Sequence, residues 1–278
     1  DYRNDNPRAV SHEESDPTGL NQLPTLKLNH LLRMTDETGL LQHALFAVPN
    51  YSEGYTTDDN ARGLILTSQL EELGQSDPTF IEILASRYLA FLNHAFNPDN
   101  LRFRNFVKYD RTWTESQGSE DCHGRALWAV GTVLAHSQDA SLRGLARHLF
   151  EIAVPAVTSF SSPRAWAFAL LGIEKYLESF PGDRDAQRTS SQLSSKLMEL
   201  YSSVSTECWS WFEDVLAYSN ARLPQALLVA GRRTSNASMI KVGLESLAWL
   251  ANVQRATRGK LKHFVPVGSR GFYRKDGS

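Results

Sequence analysis

Apolar residues recur at helical spacing along almost the whole chain. The spacing predicts nine helices, over 24–34, 57–74, 78–96, 121–137, 139–158, 162–179, 186–204, 219–233 and 236–256. Asp77-Pro78 and Ser162-Pro163 each set a capping side chain before a proline at the first helical position. Gly74 and Gly182 follow apolar stretches, where a left-handed cap ends a helix. The helices are of two alternating kinds. Over 78–96, Ile81, Leu84, Ala85, Tyr88 and Leu92 form one stripe while Glu82, Arg87 and Asn93 face away, as in a helix that covers a surface. The other kind is apolar nearly all round, as a helix buried on both sides must be.

The buried kind shares an opening with an arginine among small residues: Asn60-Ala61-Arg62-Gly63, His123-Gly124-Arg125-Ala126, Ser162-Pro163-Arg164-Ala165 and Asn220-Ala221-Arg222-Leu223. This is a degenerate repeat of inner and outer helices, and it predicts an all-α fold, an α/α toroid built of helical hairpins. Nine helices and a lead-in over 260–273 predict an incomplete six-hairpin ring, lacking about three helices at the C-terminal side. Residues 1–22 are polar and read as a linker or flexible terminus; 23–278 read as the toroid domain, truncated at its C-terminus.

Connections from inner to outer helix are short. Those from outer to inner helix, 40–56, 100–118 and 207–218, are long, as is 260–273. Alternating helix direction puts all of them on one face, at the N-termini of the inner helices. They hold 14 of the 28 aromatic residues, Tyr55, Trp113 and Trp211 among them. Some rings pack the loops onto the barrel; the rest could floor a concave site for a neutral, hydroxylated ligand such as a sugar. Alternation across 102–109, with Asp110-Arg111 as a turn, predicts a β-hairpin-like excursion.

Composition narrows the function. The formal net charge is −2, so there is no basic excess for coating nucleic acid. No apolar run approaches the roughly 18 residues of a membrane helix. Cys122 and Cys208 read as two buried thiols rather than a bridge. No zinc spacing, phosphate-binding glycine loop, dinucleotide fingerprint or nucleophile elbow occurs, so neither metal nor cofactor is implied. Nothing resembles a signal peptide; an export signal could lie ahead of Asp1, and a cytoplasmic location is the expectation.

Several segments resemble one group of bacterial proteins. They are His30-Leu31-Leu32-Arg33-Met34-Thr35-Asp36, Gly39-Leu40-Leu41-Gln42-His43-Ala44, and Glu53-Gly54-Tyr55-Thr56-Thr57-Asp58-Asp59-Asn60-Ala61-Arg62. Ser119-Glu120-Asp121-Cys122-His123-Gly124-Arg125, Trp211-Phe212-Glu213-Asp214 and Asn220-Ala221-Arg222-Leu223-Pro224 continue the likeness. The group is similar to the six-hairpin glycosidase-like superfamily, and its members often follow a glycosyltransferase domain. The resemblance implies a carbohydrate-active toroid, a glycan as partner, and fusion to a glycosyltransferase. Cys122 and Ser219 depart from the pattern, the latter where an acidic residue is expected before Asn220.

Hydrolysis of a glycosidic bond needs one carboxyl group to protonate the leaving oxygen and another to activate water or attack. Three acidic pairs stand just before or at the opening of inner helices: Asp58-Asp59, Glu120-Asp121 and Glu213-Asp214. In each pair one acid can cap a helix while the other reaches a cleft. Glu120-Asp121 is the candidate general acid, partly desolvated by the Trp113 loop, with Asp58 or Asp59 as base. The arginines are expected to pair with acids of the same or the next repeat, since unpaired buried charge is costly. Tyr55, Arg62, Trp113, His123, Arg125, Trp211, Asn220 and Arg222 are candidate substrate contacts, His123 also as a proton carrier. Hydrolysis is the leading reading, a non-catalytic glycan-binding domain the alternative. Sugar epimerisation comes third and would require at least two histidines facing the pocket.

Overall fold

The structure is a computed structural model that describes residues 26–74, 77–255 and 273–274. The predicted linker over 1–22, and 260–273 except Tyr273, lie outside the described residues. Among those described, nine helices form: α1 (Asn29–Met34), α2 (Thr57–Leu73), α3 (Pro78–Ala95), α4 (Glu120–His136), α5 (Ala140–Ala153), α6 (Pro163–Ser179), α7 (Arg184–Val204), α8 (Arg222–Arg233) and α9 (Ala237–Val253). Each matches a predicted helix. Helix α5 ends early because Pro155 has no N–H to continue the ladder, and Val154–Ser159 tightens into a 3-10 turn.

Helices α2, α4, α6 and α8 pack side by side in that order, and α3, α5, α7 and α9 each pack outside the inner helix they follow. The result is an arc of four helical hairpins, the arrangement of an α/α toroid. The inner helices are buried as their composition demands: every residue from Cys122 to Leu134 of α4 is buried. Helix α3 presents the expected stripe, with Ile81, Leu84, Ala85, Tyr88 and Leu92 all buried.

Helices α4 and α6 approach backbone to backbone. A Cβ added to Gly172 would lie 2.5 Å from the Leu127 carbonyl oxygen and 2.7 Å from the Trp128 nitrogen. Neither neighbour is a side chain that can turn away. Gly172→Ala is therefore expected to destabilise the protein by about 1–3 kcal/mol, read by urea denaturation. An unchanged midpoint would show that α4 and α6 can separate freely.

The start signals hold: Asp77 caps α3 at the Thr79 N–H and Ser162 caps α6 at the Ala165 N–H. Gly74 closes α2 at φ 60. Gly182 takes no left-handed conformation; α6 stops at Ser179 and Phe180 is its C-cap. Residues 100–118 form no helix. Strands β1 (Ala44–Leu45) and β2 (Val48–Pro49) pair with each other; β5 (Arg102–Phe103) pairs back on β4 (Phe96–Asn97), while β6 (Phe106–Val107) pairs with β3 (Tyr55–Thr56) ahead of α2. The Lys108 N–H donates to Thr112 and the Arg111 N–H to Lys108, closing the expected turn, and Val107 bridges to Trp113. The single predicted strand is split because Asn105 turns its backbone elsewhere. Its N–H donates to Glu115 and its carbonyl accepts from Thr57.

Candidate functional site

The long connections bring a polar cavity of about 400 Å³ to the N-terminal ends of α2 and α4. Asp58, Asp59 and Arg62 of α2, Asp121 and Arg125 of α4, and Tyr218 from the loop before α8 line it. Asp59 is tied to Thr56, the N-cap of α2. The Asp59 backbone N–H donates to Thr56 Oγ1 at 3.0 Å, and its carboxylate accepts from the same hydroxyl at 2.7 Å. Asp58 projects toward the neighbouring helix instead. It forms ion pairs with Arg125 of α4 and, at 2.7 Å, with Arg62. Burial pushes the Asp58 carboxyl above its usual range, against the pull of Arg125 and Arg62. Arg125 is almost wholly buried, and its guanidinium lies over the Phe168 ring, 4.0 Å from the centre.

Asp121 accepts from Ser162 Oγ at 2.7 Å and from the Tyr218 hydroxyl at 2.5 Å. Burial, and then the bond to Asp121, push the Tyr218 hydroxyl up to about 12, so it remains a donor through the neutral range. Arg125 interacts with the charges of both Asp58 and Asp121. The Cys122 thiol on the same wall is pushed well up by burial and stays neutral.

Several predicted site residues are placed elsewhere. Glu120 accepts from the backbone N–H groups of Ser161 and Ser162 at 2.8 and 2.7 Å, so it anchors the approach to α6. Glu213 pairs with Arg164 at 2.8 Å, which keeps its loop at the same end of the helices, while Asp214 is exposed outside the cavity lining. Asn220 accepts from Arg164 at 3.2 Å. Tyr55 is buried and donates to Asp36 at 2.6 Å. Trp113 donates to His94 and packs on Phe91, and it is not part of the lining of the cavity that holds Asp121. Trp211 is fully buried against Phe212 and Trp249. Arg222 lies over Trp128 rather than on the cavity wall.

His123 is the largest departure. Its ring is fully buried, accepts from the Phe103 N–H at 3.4 Å and lies 3.0 Å from the Ala153 carbonyl. Its contacts are those of a core residue, and it is not part of the cavity lining. Among the described loop aromatics, Tyr55, Phe103, Trp209, Trp211 and Phe212 are buried, Phe46, Tyr51 and Tyr109 are exposed, and Phe106 and Tyr218 line the cavity. Cys208 is exposed rather than buried, and both thiols are free.

Sequence reasoning missed Tyr218 as a hydrogen-bond donor, since it stood there only as one of many rings. It also missed Asn105, which lines the cavity and accepts the Asp58 N–H at 3.2 Å. Of the described histidines, His43 lines this cavity. No three His, Cys, Asp or Glu side chains among the described residues are placed to hold a metal ion. No helix among them is long and apolar enough to cross a membrane.

No family model matches the chain, and no curated protein matches it. Solved structures do share its fold. Cellobiose 2-epimerase from Spirochaeta thermophila DSM 6192 superposes with a TM-score of 0.65 at 16% identity, covering 90% of this chain and 71% of that one. Cellobiose 2-epimerase from Bacillus thermoamylovorans B4167 gives 0.65 at 10%, covering 81% and 69%. A sugar epimerase from a ruminal bacterium gives 0.62 at 11%, covering 81% and 67%. These likenesses bear out the all-α fold, an α/α toroid.

Proposed function

We propose that the chain is a carbohydrate-active domain that takes a saccharide in the Asp58–Asp121 cavity and hydrolyses a glycosidic bond there. The observation that carries this reading is that two carboxyl groups from neighbouring inner helices line one polar cavity in different surroundings. Asp58 is pushed toward its protonated form by burial, which suits the acid that protonates the leaving oxygen. Asp121, held by two hydroxyl donors, suits the base that activates water. These roles reverse the ones the sequence suggests. Arg62, Arg125 and Asn105 would bind sugar hydroxyls. The resemblance to domains that follow a glycosyltransferase extends the proposal to a glycan partner and to such a fusion, in a cytoplasmic setting.

Epimerisation is the second reading, favoured by the fold of the solved neighbours and by His43 at the cavity. It lacks a second cavity-lining histidine among the described residues, His123 being locked in the core. Mass spectrometry of an oligosaccharide panel incubated with the protein separates the two. Hydrolysis yields shorter saccharides with one water added; epimerisation leaves the mass unchanged and creates a new isomer. Isomers without shortening would overturn the hydrolytic reading, and binding with neither product would make the domain an accessory glycan binder.

A further inference from the structure

The four inner-helix arginines are not equivalent. Arg62 pairs with Asp58 and Asp59, Arg125 with Asp58, and Arg164 with Glu213. Arg222, the first residue of α8, has no carboxylate partner among the described residues. Its guanidinium donates to the neutral Gln225 side chain at 2.5 Å and lies 4.6 Å from the centre of the Trp128 ring. The internal repeat shows what is absent. Asp59-Asn60-Ala61-Arg62 carries an acid three residues ahead of its arginine, and that acid sits 3.0 Å from Arg62. Ser219-Asn220-Ala221-Arg222 carries a serine at the equivalent position.

The placement is unfavourable without a counter-ion. A helix N-terminus is the positive end of the helix dipole and disfavours a cation. Arg222 is half-buried, and burial together with the charges of Arg125 and Arg62 pushes its guanidinium below the usual range. Strand β8 (Tyr273–Arg274) pairs with β7 (Val215–Leu216), just ahead of Tyr218 and α8. Stacking on Trp128 holds the planar fork in place, as oxyanion recognition requires.

We propose that Arg222 is an anion subsite of the saccharide site, so that the carbohydrate taken is acidic, bearing a uronate carboxylate or a sulfate or phosphate ester. The sugar's oxyanion fills the position beside Arg222 that Asp59 fills beside Arg62. This inference rests on the cavity being a saccharide site; Arg125 and Arg62, which line that cavity, lie close enough for their charges to act on Arg222.

Calorimetric titration of the full chain with uronate-bearing, sulfated, phosphorylated and neutral oligosaccharides of equal length tests it. At least one acidic class should bind about tenfold or more tighter than the neutral one. Arg222→Gln should abolish that preference by weakening acidic binding more than neutral binding, and Arg222→Lys should keep part of it. Thermal melting of Arg222→Gln should match or exceed the unmodified chain, because a cation at a helix start is removed. Added salt should weaken acidic but not neutral binding in the unmodified protein, a readout that needs no variant. Neutral ligands binding as tightly as acidic ones, or an acidic preference that survives Arg222→Gln, would overturn the subsite and leave the carbohydrate reading standing. Failure of every oligosaccharide to bind would overturn both.

Discussion

Asp121→Asn is expected to lower kcat on a cleaved oligosaccharide by about 10²–10⁴-fold, the usual cost of removing a general acid or base. The amide keeps the shape of the carboxylate and one acceptor oxygen, so the bond from Tyr218 or Ser162 can survive. Asp121 is not the ion-pair partner that holds Arg125; that is Asp58. Folding should therefore change little, and the melting temperature should stay within a few degrees. Asp58 is a poorer first test. Removing it leaves Arg125 buried without its partner, which costs roughly 3–5 kcal/mol and confounds activity with stability. Asp121→Asn with near-normal kcat and an intact fold would remove Asp121 from the chemistry.

His123 is expected to make the protein acid-labile. Burial pushes its ring down to about 3, whereas an unfolded histidine titrates near 6.5. Between those values the unfolded chain binds a proton that the folded chain refuses. Stability from this residue is thus complete above about pH 6.5 and falls as pH drops toward 3. The slope is about 1.4 kcal/mol per pH unit, or roughly 4 kcal/mol by pH 3.5. His123→Gln should be less stable at neutral pH by about 1–3 kcal/mol, since the Ala153 and Phe103 bonds are imperfectly replaced. It should nevertheless lose less than the unmodified protein between pH 6.5 and 4. Urea midpoints at both pH values decide this; parallel losses would mean that the ring is protonated in the folded state.

The helices were legible because their apolar periodicity is long and buried on a consistent side. The alternation of short and long connections pointed to the end where the polar cavity lined by Asp58 and Asp121 lies. Arginine pairing was legible for Arg62, Arg125 and Arg164, which meet Asp58, Asp59 and Glu213, but not for Arg222, and Arg62 is exposed rather than buried. Which acid of each pair turns inward was not. The Asp59 carboxylate answers to the Thr56 hydroxyl three residues back, whereas Glu120, Asp58 and Asp121 answer to a neighbouring helix or loop that the sequence does not position. The aromatic loops misled for a related reason. A ring such as Trp211 or Tyr55 serves equally well to pack a long loop or to stack on a sugar, and its composition is the same in both cases. His123 misled because helix-opening position does not reveal that β5 and the end of α5 close over it.

The most direct measurement is a crystal structure of the Asp121→Asn variant with the longest oligosaccharide that binds it. The account predicts a scissile linkage within hydrogen-bond reach of Asp58, with position 121 on the opposite side of the sugar ring and Tyr218 beside it. A saccharide bound only outside the cavity lined by Asp58, Asp121, Arg125 and Tyr218 would contradict it.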